Sequence, residues 1–124
     1  MSRILLAEDD RILRKAGEVS LKKKGYDVIA AVDGEDALVK ALAEKPDLVL
    51  LDVMMPKMNG FDVLFALKRD PIVKDIPVIM LTNLEQPADI ARAAEAGAHS
   101  YLVKSNMNLD DLAARIHDAL VQRQ

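Results

Sequence analysis

Residues 48–60 of the chain read LVLLDVMMPKMNG. The continuous apolar run Leu48–Leu51 is typical of a strand that is covered on both faces, as in a parallel sheet. Asp52 follows this run directly, and Asn59-Gly60 is a common turn and helix start. Because α/β proteins place their chemistry at the carboxyl ends of parallel strands, the stretch predicts a core strand that brings the Asp52 carboxylate to a functional edge.

The rest of the chain alternates short apolar runs with longer amphipathic segments. The apolar runs predict strands at Ile4–Ala7, Asp27–Ala31, Leu48–Leu51, Pro77–Leu81 and Ser100–Val103. The amphipathic segments predict helices from Asp10 or Arg11 to Lys24, over Glu35–Glu44, around Phe61, Leu64 and Phe65 to near Pro71, over Ala88–Ala96, and after the N-cap Asn108. Strict alternation predicts an α/β, doubly wound, five-stranded parallel sheet with helices on both faces, and residues 1–124 as one domain.

Apolar residues at helical spacing indicate how each helix is oriented. Ile12, Ala16 and Val19 group on one side of the first helix. The second helix is expected to bury Ala37, Leu38, Ala41 and Leu42.

The composition excludes several classes of protein. The net charge is -3, which argues against a nucleic-acid surface because such a surface needs clustered basic residues. No cysteine is present, which excludes disulfides, thiolate catalysis and cysteine-ligated zinc. No apolar run approaches the roughly 20 residues of a membrane span, and the first residues lack the apolar region of a signal peptide. We expect a soluble, cytoplasmic protein.

Polar residues follow four of the predicted strands. Glu8-Asp9-Asp10 comes after the first strand, Asp52 after the third, Thr82 after the fourth and Lys104 after the fifth. Clustered carboxylates repel one another unless a cation joins them. Carboxylate oxygens suit Mg²⁺, which keeps several waters and also binds phosphate, so this edge is expected to handle a phosphoryl group near a carboxylate.

Each of these residues also has a structural explanation when it is taken singly. The acidic triplet favours a helix start, and Asp10 is interpreted as a cap. Asp52 suits a turn, Thr82 suits a strand, and Lys104 suits a solvated strand end. Their coincidence at the correct ends of four strands favours the functional interpretation.

In these motifs the chain closely resembles the receiver domain of bacterial two-component response regulators. The resemblance runs from Arg3 to about Val121. It is carried by Glu8-Asp9, by the pattern Asp52-x-x-Met55-Pro56-x-x-x-Gly60, by Thr82, and by Tyr101 with Lys104. It implies a flavodoxin-like sheet of strand order 2-1-3-4-5, and phosphorelay signalling rather than enzymatic turnover.

The resemblance also implies a role for each residue. Asp52 would accept a phosphoryl group from the phosphohistidine of a sensor histidine kinase or a histidine phosphotransfer protein. Mg²⁺, or Mn²⁺ as a substitute, would be bound by Asp9, Asp52 and the Met54 backbone carbonyl, with Glu8 acting through water.

Three residues would sense the phosphoryl group. Lys104 would pair with it or with ionised Asp52, and Thr82 would move to hydrogen-bond it. Tyr101 would then turn inward and change the face formed by helix four, strand five and helix five. That face would contact a downstream protein target.

The chain departs from the family pattern around the site. Lys104-Ser105 stands where the family has Lys-Pro with a cis bond. A cis bond without proline costs about 3–4 kcal/mol, so this bond is predicted to be trans, or cis under strain, with the following loop repositioned. Asn83 replaces a small residue, and apolar Met54 and Leu84 are expected to border the path of attacking water. We therefore expect slow self-dephosphorylation.

Two other functions remain open from the sequence. The first is an interaction module that no longer takes phosphate, which Asn83 and Ser105 motivate. The second is a Mg²⁺-dependent phosphohydrolase with Asp52 as nucleophile. That chemistry usually needs an acid two residues further on, and Met54 at that position argues against it.

Overall fold

The computed structural model describes residues 2–82, 87–104 and 108–123. Its strands are β1 (Arg3–Ala7), β2 (Asp27–Ala31), β3 (Leu48–Asp52), β4 (Val78–Thr82) and β5 (Ser100–Val103). Its helices are α1 (Arg11–Lys23), α2 (Gly34–Glu44), α3 (Gly60–Arg69), α4 (Pro87–Glu95) and α5 (Leu109–Arg123). No helix within the described ranges combines the length and apolar character that a membrane crossing needs.

The five strands form one parallel sheet in the order β2-β1-β3-β4-β5. The predicted strand order and parallel pairing are therefore confirmed. Buried residues from α2, α3 and α4 cover one face of the sheet. Buried residues from α1 and α5 cover the other face. All five carboxyl ends of the strands consequently meet at one edge.

At their carboxyl ends, β3 and β4 each extend one residue beyond the sequence prediction. Asp52 pairs with Leu81 as the last residue of β3, and Thr82 pairs with Val103 as the last residue of β4. The hydrogen-bonded ladder continues beyond Asp52, since the Val53 N–H donates to the Leu81 carbonyl at 2.9 Å. Asp52 and Thr82 are therefore held by the sheet itself rather than by a loop.

The orientation of α1 differs from the pattern of its apolar residues. Ile12 is 79% exposed and Val19 42% exposed, so the side that carries them faces solvent. The helix instead packs through Leu21, which is buried, and through Gly17, where an added Cβ would lie 2.8 Å from the Leu6 side chain. A glycine in the contact lets the helix approach the sheet closely. The spacing of apolar residues in the sequence does not reveal such a contact.

The prediction of which residues α2 buries is partly wrong. Ala37 and Ala41 are buried and Leu38 is partly buried, but Leu42 is 38% exposed. The helix packs through its two alanines, and the longer Leu42 lies at the margin of that contact.

Candidate functional site

Three carboxylates meet at the carboxyl edge of the sheet. Glu8 and Asp9 directly follow β1 and Asp52 ends β3, and one carboxylate oxygen from each lies within 4.8 Å of the others. Glu8 and Asp52 are buried, whereas Asp9 is exposed. The cluster is thus buried against the edge of the sheet at Glu8 and Asp52 and accessible to solvent at Asp9.

Lys104 partly neutralises this cluster. Its Nζ donates to Glu8 Oε1 at 2.6 Å and to Asp52 Oδ2 at 3.3 Å. Burial alone would lower the pKa of Lys104, but the hydrogen bond to Glu8 and the negative charge of Asp52 outweigh burial and raise that pKa. The ammonium therefore remains charged, and its shorter contact is to Glu8 rather than to Asp52.

The surroundings of Glu8 disfavour its ionised form. Burial raises its pKa, the adjacent Asp52 raises it further, and Lys104 offsets these effects only in part. Three carboxylates facing one ammonium leave an excess of negative charge. Such a set of oxygen ligands fits a hard divalent cation of the Mg²⁺ type.

Met54 lies immediately beyond this cluster. Its backbone N–H donates to Asp52 Oδ1 at 3.2 Å, which fixes the carboxylate against the start of the β3–α3 loop. The Met54 side chain is 64% exposed. The backbone of this residue thus stays beside the carboxylates while its apolar side chain stands in solvent.

The β3–α3 loop is held from both of its flanks. The Gly60 N–H donates to the Val53 carbonyl at 2.9 Å, which closes the loop at its base. On the α2 side, the Gly34 N–H contacts the Pro56 carbonyl at 3.4 Å and Lys57 Nζ lies 3.6 Å from Asp33 Oδ2. These α2 contacts were not predicted from the sequence, although Asp33, the N-cap of α2, and the glycine that follows it are a local signal for a tight turn.

Replacing Gly34 with alanine should destabilise the domain by about 3 kcal/mol, because overpacking against immobile atoms costs about 1–3 kcal/mol and sometimes more. The added Cβ would overlap the Met58 carbonyl oxygen and lie 2.6 Å from the Met58 carbonyl carbon. Urea unfolding measures the loss. Gly17→Ala is the matched control: it meets only the flexible Leu6 side chain and gains about 1 kcal/mol of helix propensity, so it should be near neutral. Equal losses in the two variants would contradict this explanation.

Thr82 and Tyr101 lie on neighbouring strands beside the cluster. Thr82 is buried, and Tyr101 is partly buried with its hydroxyl oxygen wholly enclosed. Burial raises the pKa of Tyr101, and the nearby Thr82 side chain lowers it by less. Within the described residues, the Tyr101 hydroxyl makes no hydrogen bond of ordinary geometry. The hydroxyl end of Tyr101 is therefore enclosed by protein, and its inward turn on phosphorylation stays a prediction.

Several of the predicted departures fall outside the described residues, namely Asn83, Leu84 and Ser105. The conformation of the Lys104-Ser105 bond and of the loop after it therefore stays a prediction. Lys104 itself is described, and its ammonium reaches the carboxylates as given above.

The chain matches the family model for the response regulator receiver domain over residues 4–117. It is 41% identical over 123 residues to the DNA-binding dual master transcriptional regulator RpaA of Synechocystis sp., covering 99% of this chain and 50% of that protein. It is 43% identical over 114 residues to a gliding motility regulatory protein of Myxococcus xanthus, covering 92% of this chain and 15% of that protein. The chain thus spans half or less of the length of these curated relatives.

Solved structures agree with these matches. Chemotaxis protein CheY4 of Vibrio cholerae superposes with a TM-score of 0.89 at 31% identity, over 96% of this chain and 98% of that one. The Francisella response regulator 1452 receiver domain superposes with a TM-score of 0.92 at 26% identity, over the whole of both chains. The family predicted from the sequence is therefore confirmed: the chain belongs to the response regulator receiver domains, which are signalling domains.

Proposed function

We propose that this domain accepts a phosphoryl group on Asp52 from the phosphohistidine of a sensor histidine kinase or a histidine phosphotransfer protein. The observation that carries the proposal is the grouping of Glu8, Asp9 and Asp52 at one edge of the sheet, with the Lys104 ammonium among them. This edge offers a nucleophile, a set of oxygen ligands and a fixed positive charge within a few ångströms of one another.

In the proposed reaction, a carboxylate oxygen of Asp52 attacks phosphorus and forms an oxygen–phosphorus bond. The phosphorus–nitrogen bond of the donor breaks, and its electron pair returns to the imidazole nitrogen. The Met54 N–H holds Asp52 Oδ1 and Lys104 holds Oδ2, so the nucleophile is oriented before the donor arrives. Lys104 and Thr82 then donate to the oxygens of the transferred group.

Mg²⁺, or Mn²⁺ in its place, would be held by Asp9, Asp52 and the Met54 carbonyl, with Glu8 acting through water. When bound, the cation neutralises charge on the phosphoryl oxygens. The chain's own contribution is the placement of Asp52 by β3 and of Glu8 and Asp9 by the turn that follows β1. Asp9 is the exposed member of the set, which leaves a path for ion and donor.

The proposed output surface is formed by α4, β5 and α5, and it binds a downstream protein target. Thr82 and Tyr101 link the phosphorylation site to this surface, because Thr82 ends β4 and Tyr101 lies on the adjacent β5. The Arg92 guanidinium of α4 stacks 4.3 Å from the centre of the Phe61 ring of α3, so α4 is tied to its neighbour on the other side. Movement of Thr82 would shift the equilibrium between two conformations of the surface formed by α4, β5 and α5.

We further propose that residues 1–124 form a single cytoplasmic receiver domain that contacts no nucleic acid itself. It performs self-phosphotransfer and slow loss of the phosphoryl group, with no turnover of other substrates. Slow loss is expected because the exposed apolar side chain of Met54 offers no group that would orient an attacking water.

Intact-mass measurement of the whole chain, incubated with Mg²⁺ and a small phosphoryl donor, tests the proposal. We expect a single phosphate adduct that requires Mg²⁺ and that persists for many minutes. Continuous release of phosphate from several esters would instead indicate a phosphohydrolase. The absence of an adduct would indicate an interaction module that does not take phosphate.

A further inference from the structure

Arg14 of α1 lies against the turn that carries two of the three carboxylates. Its Nη1 donates to the backbone carbonyl of Glu8 at 2.9 Å and to that of Asp9 at 3.3 Å. The side chain is partly buried. One guanidinium nitrogen therefore spans two consecutive peptide groups, those that follow Glu8 and Asp9.

The positive charge of Arg14 is unfavourable near the start of α1. The first turn of a helix favours negative side chains because the helix dipole is positive there, yet α1 begins with Arg11, has no acidic residue in its first turn and places Arg14 directly after that turn. The cap Asp10 already satisfies the N–H groups of Ile12 and Leu13. The backbone N–H of Arg14 donates to the Asp10 carbonyl as an ordinary helical bond, but its guanidinium takes no part in the cap, so the two carbonyl contacts of the side chain need another explanation.

We propose that Arg14 is a positioning residue for the divalent cation, an inference that rests on the function proposed above. Its hydrogen bonds fix the peptide planes on either side of Asp9, and these planes set the direction in which the Asp9 carboxylate leaves the backbone. Glu8 is held from its other side, because its N–H donates to the Ala31 carbonyl at 3.1 Å and its Oε2 accepts from the Asp10 N–H at 3.2 Å. Arg14 completes the restraint of the turn.

The charge of Arg14 and its two hydrogen bonds have opposite expected effects on Mg²⁺ affinity when the residue is replaced. A positive charge near a cation site repels the incoming ion, so loss of charge alone would tighten Mg²⁺ binding. Loss of the two hydrogen bonds from Arg14 would let the Asp9 carboxylate turn away from the cation site, which would weaken Mg²⁺ binding. The sign of the change therefore separates the two effects.

The test is calorimetric titration of Mg²⁺ into the whole chain and into Arg14→Met and Arg11→Met. Arg11 is an exposed arginine of the same helix, so its variant loses the same charge without touching the turn. We expect Arg14→Met to weaken Mg²⁺ binding by about tenfold, the lower end of what the loss of an orienting partner costs a metal site. We expect Arg11→Met to bind Mg²⁺ equally or more tightly.

A second readout separates positioning from folding. The half-saturating Mg²⁺ concentration for formation of the phosphate adduct should rise by about the same factor in Arg14→Met, while the rate at saturating Mg²⁺ and the urea midpoint stay close to those of the parent chain. Should Arg14→Met fail to fold, Arg14→Lys replaces it, because the shorter side chain cannot keep both hydrogen bonds, and binding should again weaken.

Equal or tighter Mg²⁺ binding by the folded Arg14 variant would overturn this inference and leave the proposed function standing. A parent chain that binds no Mg²⁺, or that binds it equally well after Asp52→Asn, would overturn both.

Discussion

Asp52→Asn should abolish the phosphate adduct completely while the domain stays folded. The amide is uncharged and cannot attack phosphorus, and no other described carboxylate is both buried by the sheet and held by Lys104 and Met54. Asp62→Asn is the matched control, since Asp62 is an exposed acid in the first turn of α3. It should form the adduct at the rate of the parent chain. An adduct of undiminished yield in Asp52→Asn would place the acceptor elsewhere.

The same substitution should also stabilise the domain, by about 1 kcal/mol at pH 7–8, as is common when a destabilised functional group is removed. Asp52 is one of the causes of the raised pKa of Glu8. With the Asp52 charge removed by the substitution, the Glu8 carboxylate can ionise against Lys104 with only Asp9 as a further carboxylate of the cluster. Urea unfolding at pH 8 and near pH 4 checks this, and the gain should shrink at the lower pH because Glu8 is then protonated.

The sequence predicted the parts of this fold that depend on period and order. The apolar run of β3, the alternation of strands and helices, and the polar residues at the strand ends required only the pattern along the chain. From these, the edge at which Glu8, Asp52 and Lys104 meet follows by topology. The exact ends of β3 and β4 did not follow, because a charged or hydroxylated residue at a strand end is ordinarily assigned to the loop.

The parts that could not be predicted depend on contacts between segments far apart in the chain. Ile12 and Val19 share one side of α1 by spacing, yet the helix packs on the sheet through Leu21 and Gly17 and leaves both exposed. The contact between Gly34 and the β3–α3 loop could not be predicted from the sequence either, because it depends on the position of Met58 in the folded loop. Arg14 looks like a solvated helix residue until the turn that it contacts is in place.

Lys104→Met should destabilise the domain in a manner that depends on pH. Lys104 is the cation that faces the buried carboxylates of Glu8 and Asp52, and its own side chain is 20% exposed. Removing one partner of a buried ion pair costs about 3–5 kcal/mol, and partial access of water to this site reduces our expectation to about 2 kcal/mol at pH 8. Lys22→Met is the control, because Lys22 is 57% exposed and pairs with a single carboxylate, that of Glu18 on the same helix; its loss should cost less than about 1 kcal/mol.

The direction of the pH effect follows from the protons that Glu8 binds. Its pKa is raised in the folded state above the usual 4.5, so the folded protein binds more protons than the unfolded chain and loses stability as the pH rises between the two values. Without Lys104, which lowers the pKa of Glu8, that interval widens and the loss grows. The difference in unfolding free energy between pH 5 and pH 8 should therefore be larger in Lys104→Met than in the parent chain. Lys104 itself stays protonated across this range, because its usual pKa of 10.5 is raised further in the folded protein, so the pH dependence arises from the ionisation of Glu8. An equal loss at pH 5 and pH 8 would mean that Lys104 stabilises the site by packing rather than by charge.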